Sequence, residues 1–176
     1  MKNLLIGLFL LSASSSVIAG NSGVSGTRGD FSNTLSYYDS YKLQSFNVNE
    51  KLDRPCYVSA ILRGTNGTVE ETTNNCYLSP NHTSVSAVGL FYGKIETLQV
   101  CHSKSGRVKG YKITGTNQQG LPDTDFYKRA NCSKWKNTVS CPSGEIANGL
   151  RAYFKGASFN KSDILVGLQL LCRIDN

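Results

Sequence analysis

Six cysteines, at positions 56, 76, 101, 132, 141 and 172, constrain this chain more than any other feature. An even number in an exported protein predicts three disulfides, whereas a structural metal would need CxxC or CxxH spacings that the sequence lacks. Cys101-His102 is the one place where cysteine and histidine adjoin, and it lacks ligand spacing. No metal and no cofactor are expected. Export is predicted by residues 1–19: Lys2 gives a positive start, Leu4 to Leu11 is apolar apart from Gly7, and the small residues Val17 and Ala19 favour cleavage after Ala19. Residues 1–19 are therefore read as a signal peptide. Its apolar run is shorter than the roughly 20 residues a membrane helix needs, and no later stretch approaches that length, so no transmembrane segment is expected. The predicted location is secreted or extracellular, or periplasmic in a Gram-negative cell.

The spacing of the cysteines suggests how they pair. Cys101 to Cys132 and Cys141 to Cys172 each span 31 positions, and Asp123 and Asp163 each lie 22 positions after the opening cysteine. Cys56 to Cys76 is a shorter unit of 20. Read as an internal repeat, this predicts Cys56–Cys76, Cys101–Cys132 and Cys141–Cys172, one of fifteen possible connectivities. Each bridge would close the neck of one unit and stabilise it by roughly 3 to 4 kcal/mol in the chain-entropy picture. A second period competes with the first, because Val58-Ser59-Ala60 and Val85-Ser86-Ala87 repeat a tripeptide in a different register.

Along the chain, Gly, Asn and Pro recur every dozen residues or so, and no window carries a 3.6-residue apolar stripe. Alternation instead marks Val58 to Leu62, Leu98 to Val100, Leu150 to Phe154 and Val166 to Leu170. That pattern predicts an all-β fold, a β-prism-like or other pseudo-repeated antiparallel domain with three disulfides. Asn66-Gly67 is a type I′ turn signal. Residues 20–33 are Gly, Ser, Asn and Thr with almost nothing apolar, and are expected to be a flexible lead-in to a single β domain at 34–176. The lead-in contains Arg28-Gly29-Asp30, a tripeptide that adhesion receptors read when it is mobile. The formal charge of +7 becomes +6 without Lys2, and the basic residues are scattered singly. That excludes the basic stripe a nucleic-acid partner requires.

Near the C-terminus the sequence resembles a known repeat. Trp135, Cys141-Pro142-Ser143-Gly144, Gly149-Leu150, Asp163 and Gly167-Leu168-Gln169-Leu170-Leu171-Cys172 stand in the order found in the vitelline membrane outer layer proteins. The resemblance implies three Greek-key sheets in a β-prism, the architecture also used by jacalin-type lectins, and carbohydrate as the partner class. A weaker similarity, through Pro55-Cys56 to Cys76 and Asp163 to Gly167, runs to the B subunits of bacterial AB5 toxins, which also bind glycans.

Catalysis is not expected. His82 and His102 are the two histidines, neither with an orienting acid in its motif, and Glu70-Glu71 and Asp123 with Asp125 sit in polar, loop-like surroundings unlike the paired carboxylates of a glycosidase. The function read from these features is a secreted glycan- or cell-surface-binding, lectin-like protein, directed at a host; a structural coat or matrix protein and a secreted hydrolase or inhibitor are the alternatives. Carbohydrate or a cell-surface glycoconjugate is the expected partner. Candidate ligand residues are Tyr37, Tyr38 and Tyr41 as stacking faces, Trp135 as platform or anchor, and Asp123 and Asp163 as hydroxyl acceptors gathered at one end of a pseudo-symmetric prism. Four N-glycosylation patterns begin at Asn66, Asn81, Asn131 and Asn160.

Overall fold

The computed structural model describes residues 20–78, 83, 86–90 and 92–175. The expected signal peptide, His82, the Asn81 pattern and Val85 lie outside the described residues. The described chain opens with β1 (Asn21–Gly26) and β2 (Phe31–Ser36). A long hairpin of β3 (Lys42–Lys51) and β4 (Arg54–Gly64) follows, then β5 (Gly67–Asn74) and the short β6 (Val88–Gly89). A second long hairpin joins β7 (Lys94–His102) to β8 (Val108–Thr116) and is trailed by β9 (Pro122–Lys128), β10 (Lys134–Trp135) and β11 (Val139–Ser140). A third, β12 (Glu145–Lys155) and β13 (Ile164–Ile174), comes last.

Each long hairpin is the centre of one antiparallel sheet. The orders are β1-β13-β12-β2, β5-β4-β3-β6 and β10-β7-β8-β9, with β11 also on β7. The inward faces of the three sheets meet in one core, where Leu35, Phe46, Leu62, Leu98, Tyr111, Leu150, Phe154 and Leu168 are buried. Removing a Leu or Phe side chain of this size from water contributes about 1.5–3 kcal/mol. The alternation of apolar residues seen in the sequence is therefore the inward face of each sheet.

The threefold pseudo-symmetry shows most sharply in where the ladders slip. Gln44 in β3, Glu96 in β7 and Asn148 in β12 have no residue opposite them, each being a bulge in the first strand of its hairpin. The second strands slip at Cys56, Lys109 and Val166. Two residues after the first bulge comes a fully buried side chain, Phe46, Leu98 or Leu150. Bulges re-aim a side chain and sharpen the twist, as a closing three-sheet prism requires at each edge.

The hairpins also share a direction. At one end, Arg107 donates to the Asp53 carbonyl (3.1 Å) and Arg54 Nε to the Ser162 carbonyl (2.7 Å), which joins the three hairpin turns. At the other, the Asp175 carboxylate accepts from Lys42 at the start of β3 (2.8 Å) and pairs with Lys94 at the start of β7. These are called the turn end and the base below.

The bridges are Cys56–Cys76, Cys101–Cys132 and Cys141–Cys172. The pairing is the sequential one, but the spacing that suggested it is not a structural repeat. Cys101 lies near the turn end of β7, whereas Cys141 precedes β12 at the base. The real repeat is the bulged hairpin.

The flexible lead-in expected at 20–33 is corrected by the structure. β1 pairs with β13, and β2 pairs with β12 from Phe31↔Phe154 to Ser36↔Gly149. Apolar burial does not hold β1; buried serines do. Ser22 Oγ accepts from the Leu170 amide and Ser25 Oγ from the Val100 amide, both at 2.9 Å, and Ser25 donates to the Asn137 carbonyl. Arg28-Gly29-Asp30 is fixed for the same kind of reason. Gly29 lies so close to the Phe154 backbone that a Cβ would collide with it, the Asp30 amide donates to the Phe154 carbonyl (2.8 Å), and its carboxylate accepts from the Gly156 amide (2.9 Å).

Candidate functional site

Each of the three bulged residues lines a surface cleft, so the pseudo-symmetry of the fold produces three related but chemically different depressions. Gln44 lines one of ≈ 360 Å³ with Ser40, Arg63, Thr65, Tyr92 and Gln118. Glu96 lines one of ≈ 550 Å³ with Lys94, Thr97, Pro142, Glu145 and Asp175. Asn148 lines one of ≈ 350 Å³ with Asn21, Tyr37, Asp39, Arg151 and Arg173.

In the Gln44 cleft, the Arg63 guanidinium lies 4.0 Å from the Tyr92 ring centroid and covers one face of that ring. Such a cation–π pair holds the ring in place and leaves one face for a ligand. In the Glu96 cleft the lining cation, Lys94, is already committed. Lys94 and Lys42 share Asp175, whose carboxyl is pushed up by burial and more than pulled back by hydrogen bonds from those two lysines, so that it ends below the usual carboxylate range.

The Asn148 cleft differs in that two of its buried polar atoms are unused. Asn148 Oδ1 and Arg173 Nε are shielded from solvent and have no hydrogen-bond partner among the described residues. A buried donor or acceptor left unpaired costs about 1–3 kcal/mol, which sets this cleft apart from the other two. Tyr37 stands at the same cleft, 42 % exposed, with its ring held edge-on by Tyr38 (4.5 Å) and Tyr41 (4.9 Å). The Tyr37 hydroxyl is raised above its ordinary pKa, chiefly by the neighbouring Tyr38, and is a neutral donor at physiological pH.

The residues singled out from the sequence are dispersed by the structure. Tyr37 and Tyr38 are exposed, but Tyr41 is 6 % exposed and packs in the core beneath Gly64, so it supports the cluster from behind and is not itself a stacking face. Trp135 is half-buried in β10, opposite Cys101. Asp123 and Asp163 do not gather: Asp123 pairs with Gly115 at the base, whereas Asp163 precedes β13 at the turn end. Each carboxylate serves its own segment, Asp123 accepting from the Thr124 amide (2.8 Å) and Asp163 from the Ala157 amide (2.9 Å).

The candidate acid–base groups are also occupied. His102 is buried, and its Nε2 lies 2.8 Å from the Val166 carbonyl; burial first, and Lys136 to a lesser degree, hold it below the ordinary histidine range. Asp125 accepts from the Gly89 amide (2.9 Å). Among the described residues there is no group of three or more His, Cys, Asp or Glu side chains able to hold a metal. Asn148 and Arg173 were invisible to sequence reasoning because polar residues in an alternating strand read as solvent-facing. The missing signal was the register slip at Asn148.

Two four-stranded sheets and one five-stranded sheet, each bulged, around one core define a β-prism, and comparison with solved structures gives the same fold. Frutapin, a lectin from Artocarpus incisa, superposes with a TM-score of 0.58 at 12% identity over 89% of this chain and 97% of its own. The Calystegia sepium agglutinin gives 0.58 at 9% identity over 89% and 97%. The Calsepa lectin in complex with a bisected glycan gives 0.55 at 9% identity over 89% and 98%. No family model matches the chain, and no curated protein matches its sequence.

Proposed function

We propose that this protein is a lectin-like carbohydrate-binding protein whose sugar site is the Asn148 cleft. The observation that carries the reading is the pair of buried, unpartnered atoms at that cleft, the acceptor Asn148 Oδ1 and the donor Arg173 Nε. Saccharide hydroxyls both donate and accept, so a sugar seated in the cleft offers a partner to each atom once the Asn148 and Arg173 side chains turn toward it. Tyr37 supplies the apolar face for its C–H groups, and Asp39 and Arg151 take further hydroxyls. Similarity of fold to lectins, one of them, the Calsepa lectin, solved with a bisected glycan and with a biantennary N-glycan, supports the class of ligand without assigning the site.

Export completes the proposal. Three disulfides suit an oxidising compartment, and cleavage after Ala19 would deliver the protein to the cell exterior, where a glycan-bearing surface, that of a host included, is its partner. The resemblance of residues 135–172 to the vitelline membrane outer layer repeat agrees with such a location. Trp135, Tyr41, Asp123 and Asp163 are assigned to holding the fold, and Tyr38 to positioning Tyr37.

A glycan array of the oxidised, leader-free protein at physiological salt tests the reading. Selective binding is expected, and it should fall roughly tenfold or more in Tyr37→Ala and in Asn148→Leu, a loss of about 1.4 kcal/mol or greater, while Trp135→Phe and Asp163→Asn keep their affinity. Silence across the array from folded protein, or full binding by both cleft variants, would refute it.

A further inference from the structure

Glu145 is 8 % exposed at the base of the prism, and its carboxylate has an unusual partner. The Gly20 nitrogen lies 3.1 Å from Oε2 and 3.3 Å from Oε1, astride both oxygens. Among the described residues no lysine, arginine or histidine side chain forms an ion pair with Glu145, although Lys94 lines the same cleft. That lysine and Lys42 are committed to Asp175. A buried carboxylate is costly unless a cation compensates it, and a neutral backbone amide carries one hydrogen and no charge.

The position of Gly20 supplies the missing charge. It follows Val17-Ile18-Ala19, where the small residues mark a leader-peptidase cut. Hydrolysis of the Ala19–Gly20 peptide bond by water leaves the carboxylate on Ala19 and an α-amine on Gly20. An α-amino group takes up a proton with an ordinary pKa of about 7.7–8.0, so at neutral pH the same nitrogen becomes an ammonium with three donors. The side chain at this position is fixed as well: a Cβ on Gly20 would sit 2.9 Å from Pro142 Cγ, so glycine alone lets the nitrogen reach the carboxylate past that ring.

We infer that Ala19–Gly20 is the maturation site and that cleavage creates a partly buried ion pair between the new α-ammonium of Gly20 and Glu145, which pins β1 to the Cys141–Gly144 turn. The precursor holds the carboxylate without its counter-charge. The mature fold is therefore the more stable of the two, and β1, whose residues are polar, gains a charged anchor at its free end. This inference does not depend on the sugar reading.

Intact mass and N-terminal sequencing of the secreted protein should give a chain starting at Gly20; another first residue would overturn the inference. Thermal unfolding then compares protein beginning with free Gly20 and the same protein Nα-acetylated. Acetylation should lower Tm by about 2–8 °C, and in Glu145→Gln it should make no difference. Equal Tm for free and acetylated wild type would refute the ion pair. If Glu145→Gln does not fold, the rate at which a water-soluble acylating reagent modifies the α-amine at pH 7 decides. Slow modification in folded protein relative to urea-unfolded protein supports the pair, and equal rates overturn it.

Discussion

Lys109 Nζ donates to Glu50 Oε1 at 2.9 Å, with the lysine side chain fully buried and the glutamate 4 % exposed. The pair ties the second strand of one hairpin to the first strand of another. Lys109 also bonds the Asp53 carbonyl (2.7 Å) and Oδ1 (2.6 Å), and Arg129 pairs with Glu50 from the other side. Lys109 occupies the bulge whose equivalents in the other hairpins are Cys56 and Val166, so one fold position is served by a disulfide, an apolar side chain and a charge. Breaking a buried pair by removing one partner typically costs about 3–5 kcal/mol. Lys109→Met should therefore lose stability on that scale in urea unfolding, and Glu50→Gln in the same background should recover part of it. A Lys109→Met variant as stable as wild type would show the pair to be redundant.

Acid should find two carboxylates first. Asp53 is held below its ordinary value, about 3.8, mainly by the hydrogen bond from Lys109, with the Lys109 charge, Asn131 and Arg107 adding to it against some burial. Asp175 is lowered by Lys42 and Lys94 although burial opposes them. A carboxyl with a depressed folded pKa contributes stability that is present above the unfolded value and is lost as pH falls through the folded one. Urea midpoints should thus decline as pH drops below about 4. In Asp53→Asn and in Asp175→Asn that acid limb should be shallower, from a lower starting stability. An unchanged limb in both variants would remove these groups from the account.

How much of this was legible in the sequence depends on which physical signal each element carries. The long hairpins announce themselves because inward residues such as Val58, Ala60 and Leu62 alternate with outward ones. β1 does not, because Ser22 and Ser25 are buried as hydrogen-bond partners and not as apolar mass, and composition cannot separate a buried serine from a solvated one. The sequential pairing of the cysteines, read from an apparent internal repeat, is the one the fold makes. The matching 31-residue intervals were a coincidence of loop length, however, since Cys101 and Cys141 occupy different places in their hairpins. The true repeat, Leu43-Gln44-Ser45-Phe46, Ile95-Glu96-Thr97-Leu98 and Ala147-Asn148-Gly149-Leu150, shares only an apolar–polar–small–apolar pattern and emerges once register is known. Of the cleft at Asn148, the sequence revealed Tyr37 and concealed the two buried, unpartnered atoms.

His102 gives a second pH signature, distinct from the carboxylates. Its imidazole is held below the ordinary value of 6.5 by burial, with the Val166 carbonyl opposing. Because the folded pKa is lowered, the neutral form is the one the fold favours. Stability is complete above about pH 6.5 and falls as pH drops from there toward the folded value. Urea midpoints should fall between pH 6.5 and 5 in wild type and stay level over that range in His102→Gln. A proton NMR titration placing the His102 transition at or above 6.5 would contradict the burial argument.

The disulfides should separate stability from binding, because they lie at different ends of the prism. Cys172 lines the Asn148 cleft, and its bridge to Cys141 closes the β12–β13 hairpin around that cleft. Cys56–Cys76 closes β4 and β5 at the turn end, and neither cysteine lines that cleft. In the chain-entropy picture, loops of 31 and 20 residues differ by only a few tenths of a kcal/mol, each bridge contributing roughly 3–4 kcal/mol. Replacing either pair by alanine should therefore lower stability by a similar amount. Affinity for the glycan selected on the array should fall only in Cys141→Ala/Cys172→Ala, where Arg173 and Leu171 lose the strap that holds them against Asn148. Isothermal titration below each variant's unfolding range measures this directly. Equal loss of affinity in both variants would move the sugar site away from the base of the prism.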